Sequence, residues 1–229
     1  MPKFIVGARL HDYGKGSPDE LFGRVSADGF AAVQLAYKKC VPSVRSYADV
    51  TDALVAETVA AEKAHSIQVA VLGTYVELAI NDESRLKNAA DFKSQLAVCK
   101  ALGAGCIGTE TTSMEKQPAG TTREEAQELL CRSLADILTV AVEPVTYHSM
   151  NSAAATRHIL DTMRSPNLKV IFDMSNLVDV GNVGAQDRIW NDVSELLGDQ
   201  IVAVHFKGQA FAPDGGLLHT SLEDSLTDY

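Results

Sequence analysis

The sequence predicts an α/β fold of the (β/α)8-barrel type, and three observations carry that prediction. Short apolar runs recur along the chain, amphipathic stretches separate them, and polar residues gather at their C-terminal ends. The runs are FIVGARL (4–10), AAVQLAY (31–37), QVAVLGTYV (68–76), CIGTET (106–111), VAVEPV (140–145), LKVIFDMSN (168–176) and IVAVHFKG (201–208). Short β-branched-rich runs bounded by polar residues read as strands buried on both faces, as in a parallel sheet. Their starts are separated by 27, 37, 38, 34, 28 and 33 residues. A barrel of ~250 residues repeats every ~31 residues. A doubly wound sheet is the competing arrangement, but no Gly-x-Gly-x-x-Gly follows the first run. The polar run ends instead match the rim where barrel sites sit.

Between the runs, TDALVAETVAAEKAHS (51–66) and ESRLKNAADFKSQLAVCKALGA (83–104) place apolar residues at helical spacing. Gly103 is the expected C-cap of the second. TTREEAQELLCRSLADIL (121–138) opens on a capping-box pattern from Thr121 to Glu124. That helix runs into the strand at Val140 with almost no turn, where such connections usually take ~2–6 residues. AAATRHILDTM is a further helical stretch, and PDGG (213–216) reads as a turn. Seven strands are present, and an eighth falls due near residue 235. The expectation is one barrel domain over residues 1–229, C-terminally incomplete or with its gap closed some other way, since a missing strand leaves two unpaired edges.

Composition narrows the functional classes. Hydrophobic residues make up 46% and charged residues 22% of the 229, as in ordinary globular chains. A net charge of −10 argues against nucleic acid or an anionic membrane as partner, both of which favour a basic surface. Cys40, Cys99, Cys106 and Cys131 form no Cys-x-x-Cys pair; they read as reduced, mostly buried thiols of a cytoplasmic protein. No signal-peptide pattern opens the chain, and no apolar run reaches the ~18 residues of a membrane span. A homo-oligomer is compatible with an exposed strand edge or rim.

The strand ends supply a short set of rim residues: Arg9, His11, Asp12, Gln34, Tyr75, Glu77, Glu110, Glu143, His148, Asp173, Asn176, His205 and Lys207. Glu143, Asp173 and His205 occupy matching places in three consecutive units, 30 and 32 residues apart. Two carboxylates and an imidazole converging on one point suit Mn²⁺, Mg²⁺ or Co²⁺, and also admit Zn²⁺. His11, Tyr75, Glu110, His148, Asn176 and Lys207 are candidates to bind substrate. Each also has a structural alternative: Glu110 as a loop salt bridge, His148 as a structural hydrogen bond, Lys207 as a partner of Asp173 or Glu143. His65 is expected to be solvated at a helix end, and His158 to lie on the surface.

VAVEPVTYHSM, VIFDMSNLVDV and VAVHFKG, in that order on successive strands, resemble the xylose-isomerase-like TIM barrels, the sugar phosphate isomerase/epimerase group. VQLAY, LGTYVELA and IGTET are similar to that group's second to fourth strands. The resemblance implies a metal held by Glu, Asp, His and a second Glu from strands five to eight. Glu143, Asp173 and His205 match the first three; the fourth belongs to the strand this sequence lacks. It further implies a small-molecule sugar substrate, with Glu143 as a catalytic base in isomerisation or epimerisation through an enediolate. Asn176 stands where some epimerases carry a histidine, which leaves the substrate open. Two alternatives accompany this expectation: an inosose-type dehydratase on the same scaffold, and a degenerate barrel with a binding role and no catalysis.

Overall fold

The structure is a computed structural model that describes residues 5–137 and 139–229. The expected abrupt junction before Val140 falls on Leu138, outside the described residues. The chain divides into two compact units, one running through Val76 and resuming over Lys87–Thr109, the other made of Glu77–Leu86 and Glu110–Tyr229.

The first unit opens with β1 (Gly7–Arg9) and α1 (Pro18–Ala27). Helix α1 starts sharply because Ser17 and Glu20 cap each other reciprocally and Pro18 occupies the first turn, where its missing N–H costs nothing. Then come β2 (Ala32–Leu35), α2 (Tyr37–Cys40), α3 (Asp52–His65) and β3 (Gln68–Gly73). Helix α4 (Asp82–Leu102) leads to β4 (Cys106–Glu110). Gly103 takes the left-handed conformation expected of it, at φ 63°. The strands pair in parallel, β1 on β2, β2 on β3 and β3 on β4. His65 is not simply solvated: its Nε2 lies 2.8 Å from Asp19 Oδ1 on α1.

The second unit holds α5 (Arg123–Ile137), β5 (Val140–Glu143), α6 (Ala153–Met163), β6 (Leu168–Asp173), α7 (Met174–Leu177), α8 (Gln186–Leu197) and β7 (Ile201–His205). Parallel ladders join β5 to β6 and β6 to β7, the latter setting Asp173 opposite His205. All four residues of β5 are buried, as a two-sided strand requires. The run read as one strand over 201–208 ends at His205, and Gly208 instead begins β8 (Gly208–Phe211), antiparallel to β9 (Leu217–Thr220). The expected PDGG turn lies between them, with Gly215 at φ 85°. Strand β7 also departs from two-sided burial, since Val202 and Val204 are 49% and 43% exposed.

Seven parallel strands thus follow one another in chain order with helices between them. That is the repeat of a (β/α) barrel with seven of its eight strands. Among the described residues no helix is long and apolar enough to cross a membrane.

Candidate metal centre

Three neighbouring strands end at one point. Glu143 closes β5, Asp173 closes β6 and His205 closes β7. Both carboxylates are almost fully buried, Glu143 4% and Asp173 1% exposed. Burying such groups costs several kcal/mol unless cations and hydrogen bonds compensate, and here they do. His205 Nδ1 lies 3.4 Å from Glu143 Oε1 and 3.9 Å from Asp173 Oδ2. Lys207 Nζ lies 3.0 Å from Asp173 Oδ2. Asn176 links the two sides: its Nδ2 donates to Glu143 Oε1 at 2.5 Å, and its Oδ1 accepts from Lys207 Nζ. The Asp173 side chain also caps α7 by accepting from Asn176 N at 3.3 Å, so its position is tied to the helix that carries Asn176.

The charges inside this cluster are set by each other. Burial pushes the Glu143 carboxyl up, but the His205 hydrogen bond and the charges of His205 and Lys207 prevail and hold it below the ordinary value. Asp173 is raised, chiefly by burial, with Lys207 opposing the rise and Glu143 adding to it. Burial works against a charged His205, yet Glu143 and Asp173 outweigh it and raise the imidazole.

This donor set fits a divalent cation. Two ligand atoms each ~2.1 Å from one ion lie no more than ~4.2 Å apart. Both His205–carboxylate separations fall inside that limit, and ligand atoms of all three residues lie within 4.8 Å of one another, a bound slightly wider than it. The other ring nitrogen, His205 Nε2, is buried without a hydrogen-bond partner.

The other expected rim residues distribute unevenly. Asn176 and Lys207 join the cluster directly. His148 lies in the same unit, in an isolated antiparallel bridge with Ser113, its ring edge-on to Tyr147. Its Nδ1 is buried without a partner, and burial lowers its pKa to about 4. Glu110 ends β4, and its charge, after burial, contributes to raising the Tyr147 phenol. Glu77 pairs with Lys116. His11 and Tyr75 belong to the first unit. His11 Nε2 approaches Asp12 at 4.0 Å, while Tyr75 Oη accepts from Gln34 Nε2 at 3.1 Å under the Lys39 ammonium. Arg9 is paired with Asp12. His158 is exposed and His219 lies on β9 opposite Gln209. What the sequence reading missed was Asn176 as the bridge between Glu143 and Lys207. The available signal was the Asp-x-x-Asn spacing of a helix start.

Comparison with known proteins agrees with this architecture. No curated protein sequence matches the chain. The 3-keto-D-glucoside 4-epimerase YcjR from E. coli superposes with a TM-score of 0.69 at 15% identity, over 89% of this chain and 78% of its own. The probable 3-DHS dehydratase AsbF from Bacillus anthracis gives 0.69 at 15%, over 99% and 86%. A xylose isomerase-like TIM barrel protein from Mycobacterium smegmatis, solved with magnesium, gives 0.66 at 14%, over 94% and 79%. Likeness at such identities speaks to the fold. The family model for xylose isomerase-like TIM barrels matches residues 22–228, and the chain belongs to that family.

Proposed function

We propose that the chain is a divalent-metal-dependent isomerase or epimerase of a small sugar or keto-sugar. The observation that carries this reading is the buried convergence of Glu143, Asp173 and His205 at three adjacent strand ends. The epimerase YcjR and the magnesium-bound relative from M. smegmatis, both of this fold, support it. Glu143, Asp173 and His205 would hold the ion, with Mn²⁺, Mg²⁺ or Co²⁺ favoured by the oxygen-rich set and Zn²⁺ also accommodated. When bound, the ion supplies Lewis-acid stabilisation of charge developing on a substrate carbonyl oxygen.

The protein side of the chemistry follows from the cluster. Isomerisation and epimerisation beside a carbonyl both begin with removal of a weakly acidic C–H proton. Glu143, held below the ordinary carboxylate value, is ionised at neutral pH and is the base for that step. Its Oε1 accepts from Asn176, which fixes the direction from which the carboxylate approaches. Lys207 balances the carboxylates and is placed to neutralise an oxygen that becomes anionic as the proton leaves. His148, uncharged at neutral pH, is a hydrogen-bonding group for a substrate hydroxyl, and Glu110, in the same unit, is a further substrate contact.

The likeness to AsbF over 99% of this chain favours a second reading, a dehydratase that uses the same base and then expels a hydroxyl. One experiment separates them. Mn²⁺ titration by calorimetry is expected to show stoichiometric binding that His205→Ala weakens at least ~100-fold. Ketoses are then screened in deuterated water with the loaded protein. Deuterium at the carbon beside the carbonyl, with no loss of water, identifies isomerase or epimerase chemistry; an unsaturated product identifies the dehydratase. Failure of Mn²⁺, Mg²⁺, Co²⁺ and Zn²⁺ all to bind the unmutated chain would refute the metal-dependent reading. Glu143→Gln is expected to retain measurable metal binding and lose about 10³-fold in turnover, in line with removal of a general base.

A further inference from the structure

Lys207 lies just past the end of β7, outside any strand, so its main-chain polar groups lack ladder partners. A tyrosine takes their place. Lys207 N–H donates to Tyr229 Oη at 3.1 Å, and the Lys207 carbonyl accepts from the same hydroxyl at 2.9 Å. Ser175 Oγ also donates to that carbonyl at 2.8 Å and lies 2.9 Å from Tyr229 Oη and 3.0 Å from Thr227 Oγ1. One phenol thus grips both polar groups of one residue, and that residue's ammonium reaches Asp173 and Asn176.

The segment carrying Tyr229 is itself tied down. Leu226 N donates to Gln209 O at 2.8 Å. The Gln186 side chain holds both Leu226 O, at 2.7 Å, and Asp228 N, at 2.9 Å. Trp190 Nε1 donates to Asp228 O at 3.0 Å, and the Tyr229 ring packs edge-on to Phe206 and Trp190 at 5.0 and 6.5 Å between centroids. A lysine side chain has large rotamer freedom, so an ammonium stays at one carboxylate more readily when its own main chain is immobile. We propose that Tyr229 is a positioning residue of the candidate metal centre: its hydroxyl clamps the Lys207 main chain and so keeps the Lys207 ammonium against Asp173 and Asn176.

The clamp stands without a metal; its consequence for cation affinity rests on the metal-centre reading above. An ammonium 3.0 Å from Asp173 opposes a second cation at the same carboxylate. Loosening it therefore strengthens metal binding while weakening control of a developing oxyanion.

The test uses the full chain and Tyr229→Phe, which removes the hydroxyl and retains the ring. Trp190, the chain's single tryptophan, reports through its emission whether the ring packing survives. In protein carrying ¹³C-labelled lysine, the two ε protons of Lys207 are expected to be distinct in the unmutated chain and to merge in Tyr229→Phe with Trp190 emission unchanged. Ser175→Ala, which removes the other donor to the same carbonyl, loosens the lysine by less. Unaltered Lys207 signals in Tyr229→Phe would overturn the proposal.

Mn²⁺ titration adds a readout that tail packing alone does not move. Affinity is expected to rise about 3-fold in Tyr229→Phe and about 10-fold in Lys207→Met, with no further gain in the double variant. An equal effect of Tyr229→Phe in both backgrounds would assign Tyr229 a purely structural role. Failure of Mn²⁺, Mg²⁺, Co²⁺ and Zn²⁺ all to bind the unmutated chain would refute the metal reading, while the lysine signals still decide the clamp.

Discussion

Single residues here answer to neighbours that the sequence order hides. Asn176 donates to the Glu143 carboxylate and accepts from Lys207, so its amide satisfies two charged groups at once. Asn176→Ala leaves a buried carboxylate oxygen short of a donor, which costs about 1–3 kcal/mol; the urea midpoint should fall accordingly, and Asn176→Asp should cost more because it adds a third carboxylate. His148 shows the same dependence through pH. Its pKa, lowered to about 4 by burial, compares with ~6.5 in an unfolded chain. Between those values the unfolded state binds a proton that the folded state refuses, so stability is full above pH ~6.5 and is lost as pH falls towards 4. The loss amounts to about 3 kcal/mol once both states are protonated. Phenylalanine at 148 removes the titrating group, and urea midpoints measured from pH 7.5 to 4.5 should then fall less steeply. An identical slope in His148→Phe would show that other groups carry the acid sensitivity.

At the scale of elements, local pattern fixed types better than boundaries. The sequence TTREE satisfies the capping-box pattern in two registers, Thr121 with Glu124 and Thr122 with Glu125. The expectation chose the first, and the chain uses the second: Thr122 N donates to Glu125 Oε2 at 2.8 Å, and Glu125 N donates to Thr122 Oγ1 at 3.2 Å. Thr122→Ala should therefore cost about 1 kcal/mol and Thr121→Ala close to none, measured by thermal unfolding of the two variants side by side. Reversal of that order would move the start of α5 back by one residue. The hairpin after β7 was illegible for a different reason. GQAF is short and weakly apolar, so it extends the preceding run instead of starting a new one. Gly208 is what permits the break. A Cβ there would stand 2.0 Å from Ser221 O and 2.5 Å from Thr220 O, so Gly208→Ala should force β8 and β9 apart at a cost of at least ~2 kcal/mol. Limited proteolysis should then cut within residues 208–220 of the variant while sparing the unmutated chain.

For the molecule as a whole, the repeat of seven runs was legible because buried parallel strands write continuous apolar stretches into a sequence. The acid, acid and histidine at matching strand ends were legible because the repeat aligns them. Their wiring through Asn176, Ser175 and Tyr229 was not, since those contacts join residues 22–54 positions apart and leave no periodic trace. Burial was the other quantity that composition could not supply. IVAVHF has the same apolar character as VIFD, yet the β6 segment is buried while Val202, Val204 and Phe206 are 49%, 43% and 60% exposed. Alternate residues of β7 point to one face, which leaves Val202 and Val204 open to solvent, with Phe206 exposed just past the strand end. A row of this kind behaves as a hydrophobic patch and should bind the dye ANS under native conditions. Threonine at 202 and 204 keeps the β-branching that suits a strand while removing apolar surface, so the double variant should keep its urea midpoint and lose at least half of the ANS signal. Undiminished dye fluorescence in that variant would place the binding surface elsewhere on the molecule and show that the exposed face of β7 contributes nothing to it.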